Sequence, residues 1–146
     1  MKRFTQVVSV LLIVVMLFST TAFAAEAENS RASNYFMASS VYFWRSSGNN
    51  YQIWFDVTAV GTMSELGARE IKVEYSTDGV NWSRWCTYNK SSYSQMTTTA
   101  GTARYANYVP FTATNGYCYR AVVSLYAKNS SGSGVMTETT PVLDLR

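Results

Sequence analysis

Apolar residues alternate with polar ones along most of this chain, and that period of two predicts β-strands rather than helices. Over 51–60, Tyr51, Ile53, Phe55, Val57 and Ala59 fall on one face and Gln52, Trp54, Asp56 and Thr58 on the other. That is the pattern of a half-buried antiparallel strand with its first set turned to a core. The longest alternating run is 117–128. There Tyr117, Tyr119, Ala121, Val123, Leu125 and Ala127 share one face, and Cys118, Arg120, Val122, Ser124, Tyr126 and Lys128 share the other. A third segment, 69–76, turns Ile71, Val73 and Tyr75 inward.

Turn chemistry punctuates these runs. Ser76-Thr77-Asp78-Gly79 predicts a type I turn with Gly79 left-handed, closing a hairpin onto a return strand over 80–88. Asn115-Gly116 predicts a second turn, and Asn129–Gly134 a flexible one before a last strand over 135–145. A first strand is expected over 35–44. Another is expected over 104–114, where Pro110 makes it an edge strand or places a bulge. Residues 61–67 break the alternation. Thr62 and Glu65 have the spacing of a capping box for one helical turn that would point Met63 and Leu66 down over the core, and the alternative is an irregular loop that buries the same two residues. The Ser/Thr-rich stretch 89–103 reads as a long loop or an irregular edge strand. The expected fold is an all-β, single antiparallel sandwich of seven strands over 34–146, after a loose polar leader over 25–33.

The first 24 residues stand apart from this pattern. Lys2 and Arg3 precede an apolar stretch, 7–18, which is followed by Ala22-Phe23-Ala24. A charged start, an apolar middle and an A-x-A end are the parts of a cleavable signal peptide, and the stretch is short for a membrane span. The expected product is secreted and extracellular, with no stable membrane anchor after cleavage. It would carry ten basic and nine acidic residues, a balance that offers nucleic acid no basic face. The whole chain has no histidine. That removes the commonest general base and zinc ligand, and points away from metal hydrolases and from triads built on His.

Few constellations could carry chemistry. Cys86 and Cys118 are the only cysteines, and outside the cell such a pair is expected to form a disulfide. Two independent thiols are the alternative, because the two residues differ in strand phase. Glu70 and Glu74 lie on one strand face beside Lys72 and Arg69, which reads as a solvated ladder rather than a facing acid pair. Trp44, Trp54 and Trp85 fall in outward or ambiguous phase. Covering by the second sheet or the leader is the default reading. The alternative is a ligand-binding aromatic platform that stacks on sugar rings or anchors an interface.

Three stretches, IKVEYSTDGVNW (71–82), YCYRAVV (117–123) and AKNSSGSG (127–134), together resemble a fibronectin type III or immunoglobulin-like sandwich. That resemblance implies a core Trp after the first hairpin, here Trp82, and says nothing of activity. GTMSELGAREI (61–71), Trp82 and YRAVVSLYAKN (119–129) resemble an uncharacterised family of small secreted proteins of Gram-positive, largely clostridial, bacteria. STDGVNW also approaches the Asp-box of sialidases but lacks the residue between Asp and Gly, so it reads as a hairpin staple. The sequence therefore leads to a secreted, non-enzymatic binding or interaction module without cofactor or metal. Its expected partners are a glycan or an extracellular protein, and the alternatives are a carbohydrate-binding module and a small extracellular enzyme.

Overall fold

A computed structural model describes residues 34–146; the expected signal peptide and leader lie outside the described residues. Among the described residues, nine strands form two antiparallel sheets that close on each other as a β-sandwich. The strands are β1 (Phe36–Ser47), β2 (Asn50–Met63), β3 (Glu65–Ser76), β4 (Ser83–Asn89), β5 (Thr97–Thr98), β6 (Thr102–Thr112), β7 (Cys118–Asn129), β8 (Gly132–Thr139) and β9 (Leu143–Asp144). One sheet has the order β1-β2-β6. The other runs β4-β3-β7-β8, with the two-residue strands β5 and β9 added to β3 and β7. The seven longer strands match the expected number.

The alternating faces do what their pattern dictates. Ile53, Phe55 and Val57 of β2 and Ala121, Val123 and Leu125 of β7 are fully buried, with Ile71 and Val73 of β3 beside them. Each large apolar side chain removed from water in this way stabilises the fold by about 1.5–3 kcal/mol. Tyr119 is also fully buried, and its hydroxyl both accepts from the Thr114 N–H (3.0 Å) and donates to the Thr114 carbonyl (3.2 Å). The phenol thus buries its ring without leaving a polar atom unpaired.

Several expectations are corrected. Residues 61–67 form no helical turn: only Ser64 separates β2 from β3, as the chain crosses from one sheet to the other. Pairing of Glu65 and Leu66 with Lys128 and Ala127 claims the backbone groups that a helical turn would need. Met63 and Leu66 are buried, as both the helical-turn and the loop readings required, but they sit on strands rather than in a loop. The return strand starts at Ser83 rather than Val80, because the Asp78 carboxylate accepts from the N–H groups of Val80 and Asn81 (both 2.8 Å). Gly79 is left-handed as expected, at φ 78°. Trp82 is not a core residue. Its half-buried ring lies on the outer face of the four-stranded layer, with the Arg120 guanidinium 4.4 Å from the ring centroid and Glu74 bonded to that arginine at 2.6 Å. The last strand begins at Gly132, after a tight turn closed by Asn129, and divides at Pro141 into β8 and β9. Thr140 keeps the ladder intact there by accepting the Ala121 N–H on its hydroxyl (2.9 Å). Within 89–103, a 3₁₀ turn (Ser94–Met96) drives Met96 into the core, and β5 pairs with Leu66 and Gly67 of β3.

The anticipated Cys86–Cys118 disulfide is absent, and both thiols are free. Strand order gives the reason. Cys86 sits opposite Val73 on one side of β3, and Cys118 opposite Ser76 on the other. Two inter-strand spacings, about 10 Å, separate their backbones, beyond the ~7 Å that a disulfide tolerates. Burial pushes both thiol pKa values up, so neither is a ready nucleophile. Thiol titration of the unfolded chain without reductant is expected to find both cysteines reactive, and reductant to leave the melting temperature unchanged. A chain that shows no thiol until it is reduced would contradict this strand order.

Acid should loosen the fold in a defined window. Hydrogen bonds from Arg104, Lys90 and Arg146 hold the carboxyls of Asp56, Glu65 and Asp144 below their ordinary range, and backbone N–H groups of Asn81 and Val80 do so for Asp78. A depressed folded-state pKa contributes stability that is fully present above the unfolded value and is lost as pH falls through the folded one. The melting temperature is therefore expected to stay flat from neutral pH down to about 5 and to fall progressively below about 4. A decline that begins above pH 6 would point to other groups.

Candidate functional site

Register within the three-stranded sheet brings aromatic side chains of three separate segments into one row. Tyr42 on β1 lies opposite Trp54 on β2, which lies opposite Tyr108 on β6. These positions alternate with the buried Val41, Phe55 and Val109, so their side chains leave the outer face of the sheet, away from the second layer. The Tyr42 and Trp54 rings are nearly parallel, 5° apart, with centroids at 6.4 Å; Trp54 and Tyr108 are 4.9 Å apart with a 37° tilt. The next row on the same face is Trp44, Gln52 and Pro110. The Trp54 indole N–H donates to the Gln52 side-chain carbonyl at 2.8 Å, which fixes the ring orientation across two rows. Trp44 is 60% exposed.

The face carries almost no net charge. Asp56 and Arg104, one row beyond the aromatic row and further along β6, close on each other as a two-point ion pair, with Nε–Oδ1 at 3.0 Å. That partner keeps Asp56 ionised. Past the β6 edge the surface dips into a cleft of about 620 Å³, lined by Asn50, Gln52, Tyr93, Gln95, Asn107 and Tyr108 among others. The loop before β5 holds this edge. The Gln95 carbonyl accepts from the Tyr105 hydroxyl (2.7 Å) and the Asn107 side-chain amide (3.2 Å), and Tyr88 donates to the Pro110 carbonyl (2.9 Å). The proline that cannot extend a ladder thus sits on an edge strand, as expected, and its carbonyl is still satisfied.

Of the three tryptophans singled out in the sequence, the structure brings together Trp44 and Trp54. Trp85 lies on β4 in the other sheet, at a register shift that leaves it as the extra residue of a bulge. Its ring, 41% exposed, packs edge-on against Tyr75 (5.4 Å) and Tyr119 (5.7 Å) and near Tyr117 (6.3 Å). The sequence reading missed Tyr42, Tyr108, Asn107 and Gln95. Tyr42 was within reach, being two residues from Trp44 and hence on the same strand face. Tyr108 needed the β2–β6 register, which no local pattern carries.

Glu70 and Glu74 line neither this cleft nor the second one described below; Lys72 pairs with Glu70 (3.0 Å) and Arg120 with Glu74 (2.6 Å). Among the described residues, no three acidic or sulfur side chains converge to hold a metal ion. No known protein-family profile matches the chain, and no curated protein matches it.

Proposed function

We propose that this chain is an exported, non-catalytic binding module that recognises a neutral carbohydrate on the outer face of its three-stranded sheet. One observation carries the reading: the in-register row of Tyr42, Trp54 and Tyr108, bordered by Trp44 and by side-chain amides. A sugar ring has an apolar face of C–H groups and a rim of hydroxyls. Aromatic rings lying across a sheet offer area to the first, while Gln52 and Asn50, in the same strand phase as Trp54, each offer both a donor and an acceptor to the second. The closed Asp56–Arg104 pair leaves no free charge to favour an ionic ligand there.

Export rests on the charged, apolar and A-x-A segments of the first 24 residues. The finer likeness to fibronectin type III and immunoglobulin-like domains is supported by the three-plus-four strand order. It is also supported by Tyr119, whose hydroxyl bonds the backbone five residues upstream, as in the tyrosine corner of such domains. Kinship with small secreted proteins of Gram-positive bacteria rests on the residue likeness alone.

The test is a titration of intrinsic tryptophan fluorescence with a panel of neutral oligosaccharides: gluco-, manno-, xylo- and chito-configured, each of three to six sugars. At least one series is expected to shift the emission saturably, with affinity rising with chain length until the row is filled. A flat response across the panel, together with no retention on the corresponding insoluble polysaccharides, would refute the carbohydrate reading.

A further inference from the structure

A second cleft, of about 400 Å³, lies between the four-stranded layer and the segment that follows β4. Its lining includes Glu65, Arg69, Lys90, Ser91, Thr97 and Tyr126. Two features build it. At Gly67 the backbone approaches β5 so closely that a Cβ would stand 2.8 Å from the Thr97 Cα, which lets the segment press onto β3 as a wall. Between Ala68 and Glu70 the β3–β7 register shifts by one residue, so Arg69 is the extra residue of a bulge. Bulges re-aim side chains. Without this one, Arg69 and Glu70 could not both lie between the buried Ala68 and Ile71 and still leave those two facing the core.

The charges in the cleft do not balance. Lys90 is taken by Glu65, 2.6 Å away. Lys128 stands opposite Glu65 in the ladder, and it contributes, after Lys90, to holding the Glu65 carboxyl below its ordinary range. Arg69 forms no ion pair among the described residues; its guanidinium rests 5.7 Å from the centroid of the Tyr126 ring. The lining thus holds one carboxylate and two cations, with Lys128 outside it on the neighbouring strand, and the cation without a partner is the planar, five-donor group suited to a two-point oxyanion contact.

We propose that this cleft is a binding site for a compact oxyanion, a carboxylate, sulfate or phosphate group, with Arg69 as its principal contact and Lys90 as a second cation. The site lies on the opposite layer from the aromatic row and does not depend on the carbohydrate reading. Glu65 competes with the ligand for Lys90 and lowers its affinity.

The experiment is an amide chemical-shift titration of the full chain with sodium sulfate, sodium phosphate and sodium glucuronate, each at constant ionic strength against chloride. Saturable shifts are expected at residues 65–69, 89–91, 97 and 126. The tightest of the three anions identifies the source: glucuronate a sugar acid, sulfate or phosphate the corresponding ester. Arg69→Gln, at an exposed position that leaves the core intact, should weaken binding by about tenfold or more. Glu65→Gln should strengthen it about five-fold by removing one negative charge near the anion. The amide spectrum of each variant reports that it is folded. Shifts no larger than those from chloride, or affinity unchanged in Arg69→Gln, would overturn the assignment.

Discussion

Replacing Trp54 by alanine is expected to lower carbohydrate affinity by about 30-fold or more, the roughly 2 kcal/mol scale of a central aromatic anchor. Trp54 holds the middle of the row, with Tyr42 on one side and Tyr108 on the other. Its removal takes stacking area from the centre of the site and also frees Gln52, which the indole N–H now orients. The fold should survive, because Trp54 projects from the outer face while its neighbours Ile53 and Phe55 fill the core. Trp54→Phe should recover part of the loss, since a ring remains but the N–H does not. Trp85→Ala is the informative control. It removes a ring packed against Tyr75, Tyr117 and Tyr119, so it should lower stability and leave carbohydrate affinity unchanged. Equal effects of the two substitutions on affinity would show that binding reports global stability rather than this face.

Gly67→Ala should destabilise the protein by about 3 kcal/mol or more and displace the 93–98 segment. Two costs add. At φ 147° the backbone is in a region that side-chain-bearing residues rarely adopt, a penalty of about 1–3 kcal/mol. The new Cβ would also fall within the van der Waals envelope of the Met96 carbonyl oxygen, and backbone cannot yield as a flexible side chain would. If β5 lifts away to relieve the clash, Met96 is drawn from the core, at a cost of the order of a large-to-small core substitution, about 2–5 kcal/mol. The same segment supplies Gln95 and Tyr93 to one cleft and Thr97 to the other, so both sites should weaken together. Chemical denaturation would read the stability, and the two ligand titrations would read the sites. A variant as stable as the parent would mean that the close approach of β3 and β5 is not what holds this segment.

The strands with clean alternation were legible because each buries one face, and a slip of one residue would turn Ile53, Phe55 and Val57 to water. The turn at Asp78 was legible because its carboxylate and the following glycine act within a few residues. The Cys86–Cys118 pairing failed for the opposite reason. The extracellular setting that the sequence predicts would favour a bridge, but only strand order reveals that β3 stands between the two residues. Trp82 shows the same limit: the resemblance to fibronectin type III or immunoglobulin-like domains implied a core Trp there, and the six-residue turn before β4 left it on the outer face under Arg120.

Local sequence by itself determined the period-two strands, the turns between them and the inward sets on β2, β3 and β7. Side-chain alternation and turn preference are properties of a few adjacent residues. Tertiary structure alone decided which strands are neighbours. That choice aligned Tyr42, Trp54 and Tyr108 into one row, separated Trp85 from it, kept the two thiols apart and turned a Ser/Thr-rich stretch into the wall of two clefts. Pairing β2 with β6 closes a loop of some fifty residues, and its free energy comes from burying a shared core rather than from anything written near either strand.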